Sequence, residues 1–439
     1  MKRFFTTIKN IFSIEDLRVR ILNTIGFLII FRLGSYIVLP GVDPNLLSGN
    51  QGGIFDLLNT FLGGSFSRAS IFALGIMPYI SASIVVQLLT VAVPHFTKLQ
   101  KEGDSGRKKL NQFTRVLTIL ITAAQSYGYI RATVNAEAIL NPGMFFTVSS
   151  IIILIAGTMF CMWLGERITD KGIGNGISML IMIGIVSRFP AAIYQEIDAK
   201  GMNGMLLFIL EVLALFFVVV GVIALTQATR RIPVQYAKQV VGNKLYGGKR
   251  DFIPLKLNSA GVMPIIFAQA LMFIPGIFAQ INEDWQTSSF LVMLNDFQSI
   301  GYNLIYGSLI ILFTYFYTAI IINPTQIADD LKKNGGFIPG IKPGKKTAEF
   351  IDNVLSRITL PGSIFLALVA IAPVFSRAFG VDTSFAQFFG GTSLLIMVGV
   401  ILDTLQQIES HLLMRHYDGL MKSGRIKGRQ SAALSVPQG

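Results

Sequence analysis

The side chains that most often carry out chemistry are few in this sequence and far apart. It contains one cysteine, Cys161, inside an apolar block, and three histidines, His95, His411 and His416, at the edges of apolar blocks. One cysteine can form neither an internal disulfide nor a multi-cysteine metal site, and no histidines have the H-E-x-x-H spacing of a zinc enzyme. Catalysis inside an apolar core needs several such groups that converge. We therefore expect no metal, no cofactor and no enzymatic activity.

Ionisable side chains within the apolar blocks are the next candidates. Arg32, Glu211 and Asp403 lie deep in such blocks, and Arg188 and Arg377 lie near the ends of two others. Charged groups inside a membrane often belong to an ion or proton pathway. These residues are scattered, so we expect each to pair or to extend its charge to a helix end. This scatter disfavours the first alternative function, an ion-coupled secondary transporter. The lack of a histidine in the middle of a span disfavours the second alternative, an intramembrane protease or acyltransferase.

These residues are embedded in long apolar segments. Of the 439 residues, 52% are hydrophobic and 14% are charged, whereas soluble proteins carry about 25% charged residues. A helix needs about 20 mostly apolar residues to cross a bilayer, and backbone groups in lipid must bond within the segment. The sequence therefore predicts an all-α membrane protein with ten helical spans. They are 21–40, 71–93, 113–133, 145–165, 176–195, 205–226, 260–280, 303–323, 358–378 and 388–408.

Lysine and arginine alternate between the segments that connect these spans. Thirty of the 37 lie in the N-terminal segment, the C-terminal tail and every second loop, and five lie on the other side. Basic residues are retained on the cytoplasmic side of a membrane. Both termini are therefore predicted to be cytoplasmic: an amphipathic segment at 1–20, which we expect at the membrane surface, and a tail at 411–439.

Two of the basic loops, 227–259 and 324–357, are long for a compact membrane protein. We call them the first and second basic loops. A much shorter loop would suffice to hold orientation, and long loops usually have a function. We therefore expect a docking surface for an acidic partner, with a purely topological role as the alternative.

The sequence also contains a short repeat. Gly75-Ile-Met-Pro78 opens the second span and Gly261-Val-Met-Pro264 opens the seventh. The repeat pairs spans one to five (21–195) with spans six to ten (196–410), and the paired spans run in opposite directions. Many transporters and channels are built from such inverted halves. Chance remains an alternative for so short a motif.

One further apolar run, within 53–65, is too short to span. It lies on the predicted outer side, is interrupted by Asp56 and ends in Gly63-Gly64. An interfacial helix is one interpretation. A short helix that re-enters the protein is the other, because irregular backbone is tolerated at membrane depth only where protein buries it or it lines a cavity.

Five ordered stretches resemble the SecY family, which forms the channel of the bacterial Sec protein translocase. They are FLGGSFSRASIFALGIMPYISASIVVQLL (61–89), KEGDSGRKKLNQFTR (101–115), MWLGERITDKGIGNGIS (162–178), NPTQIADDLKKNGGFIPGIKPGKKT (323–347) and GGTSLLIMVGVILD (390–403). The resemblance implies an hourglass pore between two inverted halves of five spans. It also implies that unfolded preproteins cross through this pore, and that apolar segments leave sideways into lipid between spans two and seven.

The resemblance further implies a set of partners and a location. The channel itself would hydrolyse no nucleotide, and a SecA motor ATPase or a translating ribosome would dock on the basic loops. SecE-like and SecG-like membrane subunits would accompany it, signal peptides and preproteins would be its cargo, and the bacterial cytoplasmic membrane would surround it.

Several residue roles follow from the resemblance alone. A pore ring corresponds to Ile80, Ile84, Ile177, Ile181, Ile266 and Ile396. A plug corresponds to residues 54–70, including Ile54, Leu57, Leu58, Phe61, Gly63, Gly64 and Ser65. Gln87 and Gln269 correspond to the lateral gate between spans two and seven.

The docking residues are assigned in the two basic loops. They are Arg230, Arg231, Lys244, Lys249, Arg250, Lys332, Lys333, Lys342, Lys345 and Lys346. The family commonly has arginine in G-[I/V]-R-P-G, where this chain has Lys342 in GIKPG. Lysine keeps the charge but loses the two-pronged hydrogen bonding of arginine, so a contact that requires arginine is in doubt.

Overall fold

The structure is a computed structural model that describes residues 14–47, 54–134, 136–201, 204–236, 239–241, 244–246, 250–281, 293–294, 296 and 298–422. Each of the ten predicted spans overlaps one helix. In chain order the elements before the first basic loop are α1 (Glu15–Gly34), α2 (Ile54–Phe61), α3 (Met77–Ala92), α4 (Pro94–Lys101), α5 (Asp104–Thr133), α6 (Met144–Lys171), α7 (Gly176–Lys200) and α8 (Met205–Gln227). Those that follow are β1 (Thr229–Tyr236), β2 (Gln239–Val241), β3 (Lys244–Tyr246), β4 (Arg250–Lys256), α9 (Met263–Ile281), α10 (Ile300–Ile321), α11 (Pro324–Lys333), β5 (Gly336–Phe337), α12 (Lys345–Ala378), α13 (Thr383–Ala386) and α14 (Gly391–Lys422).

Length and apolarity set six helices of the described chain apart as candidate spans. They include α6, α7, α8, α12 and most of α14, together with a segment that joins α10 to α11. A seventh candidate is the pair α3 and α4, which are bent by 99° relative to each other. The bend falls at Val93, which is extended (φ −114°, ψ 118°) because the following Pro94 disfavours helical backbone.

The repeated Gly-x-Met-Pro motif marks the start of two helices. Helix α3 begins at Met77 and helix α9 at Met263, so Pro78 and Pro264 each lie in a first helical turn. Proline is tolerated there because the N–H groups of a first helical turn have no backbone partner, so a residue without an N–H loses no hydrogen bond. Pro78 and Pro264 thus mark where these two helices begin.

The first basic loop folds into a small sheet that the sequence analysis did not predict. Strand β1 lies between β4 and β5 and is antiparallel to both, and β2 pairs with β3. Ile232 and Val234 alternate along β1 and pack, with Leu255, against Leu331 and Ile351. The two basic loops thus share one hydrophobic core outside the membrane spans.

The main core lies between the helices of the two halves. It contains buried residues from α3 and α7 on one side and from α9, α10, α12 and α14 on the other. Helix α3 contacts α9, and α7 contacts α14. These contacts, together with those of α5 with α9 and of α7 with α13, join the N-terminal five spans to the C-terminal five.

Candidate functional site

The six isoleucines assigned to the ring lie in one apolar cluster. Helix α3 supplies two, α7 two, α9 one and α14 one. Those at 80, 84, 181 and 396 are buried, and those at 177 and 266 are half-buried and pack against the same cluster. The pairs at i and i+4 each share one helix face. Four helices from both halves therefore contribute isoleucine to the same apolar cluster.

The assigned plug meets this centre at its C-terminal end. Residues 54–61 form helix α2, which contacts α7. A small apolar cavity of about 10 Å³, room for about one water molecule, lies beside the end of α2. It is lined by Phe31, Phe61, Leu62, Ile76, Met77, Leu180 and Ile181. Plug residues and a ring residue thus face the same apolar space.

The chain after α2 makes a tight, internally bonded turn. Gly63 (φ +63°) and Gly64 (φ +85°) have left-handed backbone, which glycine adopts without strain. The Asn59 side-chain oxygen accepts from the backbone N–H and the hydroxyl of Ser67, at 3.3 and 3.0 Å. Ser65 is buried, and its hydroxyl donates to the Leu62 carbonyl at 2.8 Å. These bonds give residues 59–67 a defined shape.

Two arginines converge on this turn. Arg68 donates to the Gly63 carbonyl at 3.0 Å, and Arg32 donates to the same carbonyl at 3.4 Å. Both guanidinium groups also lie over the Tyr36 ring, at 4.4 and 5.4 Å from its centre. Arg32 lies in the last turn of α1. These contacts therefore agree with the expectation that its charge pairs, or is extended, at a helix end.

The other intramembrane charges also have separate surroundings. Glu211 is buried near the start of α8 and pairs with Lys200 at the end of α7. Lys200 also lies 2.8 Å from Glu196, whose other oxygen accepts from the Asp382 backbone N–H at 2.8 Å. Asp403 is exposed on α14. Among the residues that the structure describes, no three His, Cys, Asp or Glu side chains are grouped to hold a metal ion.

The assigned lateral gate lies where α3 meets α9. Gln87 donates to the Ser83 hydroxyl at 3.2 Å and accepts a hydrogen bond from the Tyr317 hydroxyl of α10. Gln269 is buried on α9. Tyr317 also packs edge-on against Phe267, with ring centres 4.9 Å apart. Tyr317 was not among the predicted gate residues.

Comparison with known proteins identifies the family to which the chain belongs. The SecY family model matches residues 70–405. The chain belongs to the SecY family. A protein translocase subunit SecY from Streptomyces coelicolor is 43% identical over 95% of this chain and 100% of its own length. Those from Mycobacterium bovis and Aquifex aeolicus are 42% and 41% identical and cover 93% and 94% of this chain, with 97% and 99% of their own lengths.

Solved structures agree with the SecY family fold. "The structure of a protein conducting channel" matches with a TM-score of 0.64 at 16% identity and covers 94% of this chain and 95% of that one. A Sec61 structure from a canine ribosome–channel complex matches with a TM-score of 0.60 at 15% identity, covering 94% and 95%. This chain is thus a multi-pass membrane protein and a translocation channel subunit, not an enzyme.

Seven of the ten basic residues assigned to docking are exposed in the described part of this SecY-type fold. Arg230 and Arg231 are exposed on β1. The five lysines of the second basic loop, at 332, 333, 342, 345 and 346, are also exposed. Lys346 pairs with Glu349 at 2.9 Å. Lys244 and Arg250 lie in β3 and β4, and Lys249 lies outside the described residues.

Two buried polar contacts of the segment assigned to the plug were not predicted from the sequence. Thr60 donates a hydrogen bond to Gln387, and the Tyr129 hydroxyl donates to the Phe66 carbonyl at 2.6 Å. Both Gln387 and Tyr129 are buried. Their signal in the sequence was weak: each is a hydrogen-bonding side chain at the predicted outer end of an apolar span, where exposure to water is the ordinary expectation.

Proposed function

We propose that the isoleucine ring and the plug form the gate of a protein-conducting channel for unfolded preproteins. The observation that carries this proposal is that six isoleucines from four helices belong to one apolar cluster, and that one of them, Ile181, lines a cavity together with Phe61 and Leu62 at the end of the plug. Family membership supports it, because the curated relatives are protein translocase subunits.

The physical basis of the gate is exclusion of water. Bulky aliphatic side chains that line a constriction close it by dewetting and offer an ion no compensating polar group. Isoleucine side chains present only hydrocarbon to a passing chain, so the ring can surround many sequences without binding any of them. The plug adds a second barrier when no polypeptide is present.

Apolar segments of the cargo have a second exit between α3 and α9. These helices belong to different halves and contact each other directly. A helix of about 20 apolar residues is more stable in lipid than in a water-filled pore. When the two halves separate, such a segment can therefore pass sideways into the bilayer.

The energy for transport comes from partners in this proposal. The chain sits in the bacterial cytoplasmic membrane with both termini in the cytoplasm, and its basic loops face a SecA motor ATPase or a ribosome. Lysine and arginine on the exposed loop surfaces suit carboxylates and rRNA phosphates alike. SecE-like and SecG-like subunits complete the complex around the ten spans.

Reconstitution tests the proposal directly. The purified chain and a SecE partner are placed in proteoliposomes, and SecA, ATP and an unfolded preprotein are added outside. We expect ATP-dependent protection of the preprotein from protease, which detergent abolishes. A well-characterised SecY complex treated in the same way is the control for active partners.

The alternative makes a different prediction in the same vesicles. If the chain is a small-solute transporter, preprotein stays sensitive to protease while the control complex protects it, and radiolabelled solutes accumulate along an ion gradient. That combination would reject the channel proposal.

A further inference from the structure

The plug segment 54–70 is attached to the protein at two places that differ in kind. Its second part, 65–70, is bonded to helices and backbone of the N-terminal half. The Leu39 N–H donates to the Ala69 carbonyl at 2.8 Å, and the Ile71 N–H donates to the Ile37 carbonyl at 2.9 Å. These are backbone bonds, so they persist whichever side chains surround them.

Side chains strengthen the attachment of this second part. The Tyr129 hydroxyl of α5 donates to the Phe66 carbonyl at 2.6 Å, and the two rings pack edge-on with their centres 4.8 Å apart. Phe66, Ala69 and Tyr129 belong to one buried cluster together with residues of α6. Residues 65–70 are therefore part of the packed N-terminal half.

The first part of the plug, helix α2, has a contact with the other half. The Thr60 hydroxyl donates to the side-chain oxygen of Gln387, the residue that follows α13. Both side chains are buried, at 6% and 4% exposure. A buried hydrogen bond of this kind is costly to leave unmade, so the bond favours one seated position of α2 against the C-terminal half.

The two parts meet at residues suited to a pivot. Gly63 and Gly64 both have left-handed backbone, and they lie between the end of α2 and the anchored residues. Glycine has the widest choice of backbone angles, so rotation here can move α2 once the bonds from Ser67 to Asn59 and from Ser65 to Leu62 have broken.

We propose that Gln387 is a positioning residue that latches α2, and that only α2 leaves when the channel opens. This inference rests on the gate proposed above. Passage of a polypeptide separates the two halves, and the Thr60–Gln387 bond crosses between them and must break. The bonds that join residues 66–71 to the backbone of residues 37–39 and to Tyr129 lie within the N-terminal half and remain. The plug is thus a swinging helix on a fixed base.

Ion leakage through the resting channel tests the latch. Thr60→Val removes the hydroxyl at nearly constant shape, Thr60→Ser keeps it, and Gln387→Ala removes the acceptor. One net hydrogen bond corresponds to roughly a fivefold change in an equilibrium. We expect Thr60→Val and Gln387→Ala each to raise the resting open probability in planar bilayers about fivefold, and Thr60→Ser to match the wild type.

Two comparisons separate a latch from general damage. Ser384→Ala alters α13, the short helix that Gln387 follows, at a residue whose backbone N–H donates to the Asp382 carboxylate. This variant should leave the open probability unchanged. The double variant Thr60→Val with Gln387→Ala should leak no more than either single variant, since both remove one bond. Additive effects, or wild-type leakage in both single variants, would overturn the latch.

Thiol labelling tests the fixed base. In a Cys161→Ala background, a cysteine is placed at Leu58 in α2 or at Ser67 in the anchored part, both half-buried positions. A membrane-impermeant maleimide is applied from the plug side, with and without an arrested preprotein. We expect the rate at position 58 to change at least fivefold and the rate at 67 to stay constant. Equal changes at both positions would show that the plug moves as one body.

These results are distinguishable from failure of the proposed function. If the wild-type complex does not protect preprotein, the channel proposal fails and the latch falls with it. If it protects preprotein but Thr60→Val and Gln387→Ala leak no more than the wild type, the channel proposal stands and the latch alone is rejected.

Discussion

At Gly184 on α7, the segment assigned to the plug lies directly against the helix backbone. A Cβ atom added at Gly184 would overlap the Phe61 carbonyl oxygen, and it would lie 3.3 Å from the Phe61 carbonyl carbon and 3.4 Å from the Gly63 nitrogen. The obstacle is backbone at the end of α2, which cannot rotate away as a side chain does. Gly184→Ala therefore forces the end of α2 away from α7, and we expect it to unseat the plug.

Two energies oppose each other in this variant. Alanine favours a helix over glycine by about 1 kcal/mol, but α7 is a helix whether the gate is open or closed, so this gain leaves the gate equilibrium unchanged. Overpacking costs roughly 1–3 kcal/mol and acts only while the plug is seated. At about 1.4 kcal/mol per tenfold, the ratio of closed to open channels falls by roughly 5- to 150-fold.

Planar-bilayer recording measures this ratio as the resting open probability. Two matched variants serve as controls: Gly221→Ala, whose added Cβ would lie 3.7 Å from Phe365, and Gly26→Ala, whose added Cβ has no described atom within 4 Å. Both should record like the wild type and keep or raise its thermal stability. If Gly184→Ala also records like the wild type, the close seating of the plug on α7 is wrong.

Three further predictions follow from the same structure. Replacing Ile80, Ile181 and Ile396 together with glycine removes much of the apolar constriction, so the resting channel should conduct ions; unchanged conductance would contradict the ring. Changing Lys342, Lys345 and Lys346 to glutamate should slow motor-driven export several-fold at low salt. The difference from the wild type should shrink as added salt screens the charges, and equal export rates at low salt would reject the docking surface. Arg115→Ala removes the 2.8 Å ion pair between Arg115 and Glu166, in which the two side chains are 47% and 34% exposed. Because water screens such a pair, the free energy of unfolding should fall by less than about 1 kcal/mol. A larger loss in thermal unfolding of the detergent-solubilised complex would show that water does not screen this pair.

The spans were predictable because lipid imposes one requirement on them. Every backbone group in a bilayer must bond within its segment, so a long apolar run can only be a helix, and all ten overlap one. The ends were not predictable in the same way. Helix α5 begins at Asp104 rather than 113, and α12 begins at Lys345 rather than 358. Their first turns are polar and lie beyond the apolar run, where hydrophobicity carries no information.

The small sheet was missed because its strands lie in a charged loop. Ile232 and Val234 do alternate with polar residues, as a strand with one buried face requires. Pro233 between them indicates a strand edge. The structure agrees: β5 pairs only with Gln235 and Tyr236, which leaves β1 without a second neighbour at Pro233. The alternation was visible in the sequence, but the seven basic residues of this loop favour an exposed, charged surface over a sheet.

The candidate site was predictable only in part, for a different reason. The composition of a span cannot separate an isoleucine that faces a pore from one that faces lipid, so the ring residues came from resemblance. The polar contacts of the plug depend on which distant residues meet. Thr60 and Gln387 are 327 positions apart, and only packing of the two halves brings them together.

The two exits of the channel are closed by different forces. In the proposed gate the isoleucine ring lies between two aqueous spaces, so separating its isoleucines would expose hydrocarbon to water, and the hydrophobic effect would favour the closed state. The seam between α3 and α9 opens into lipid, where acyl chains replace the lost apolar contacts at little cost. Packing and polar bonds such as that from Tyr317 to Gln87 must therefore set its closure. An apolar cargo segment can wedge this seam apart because it supplies the contacts that the helices give up, whereas a polar segment cannot.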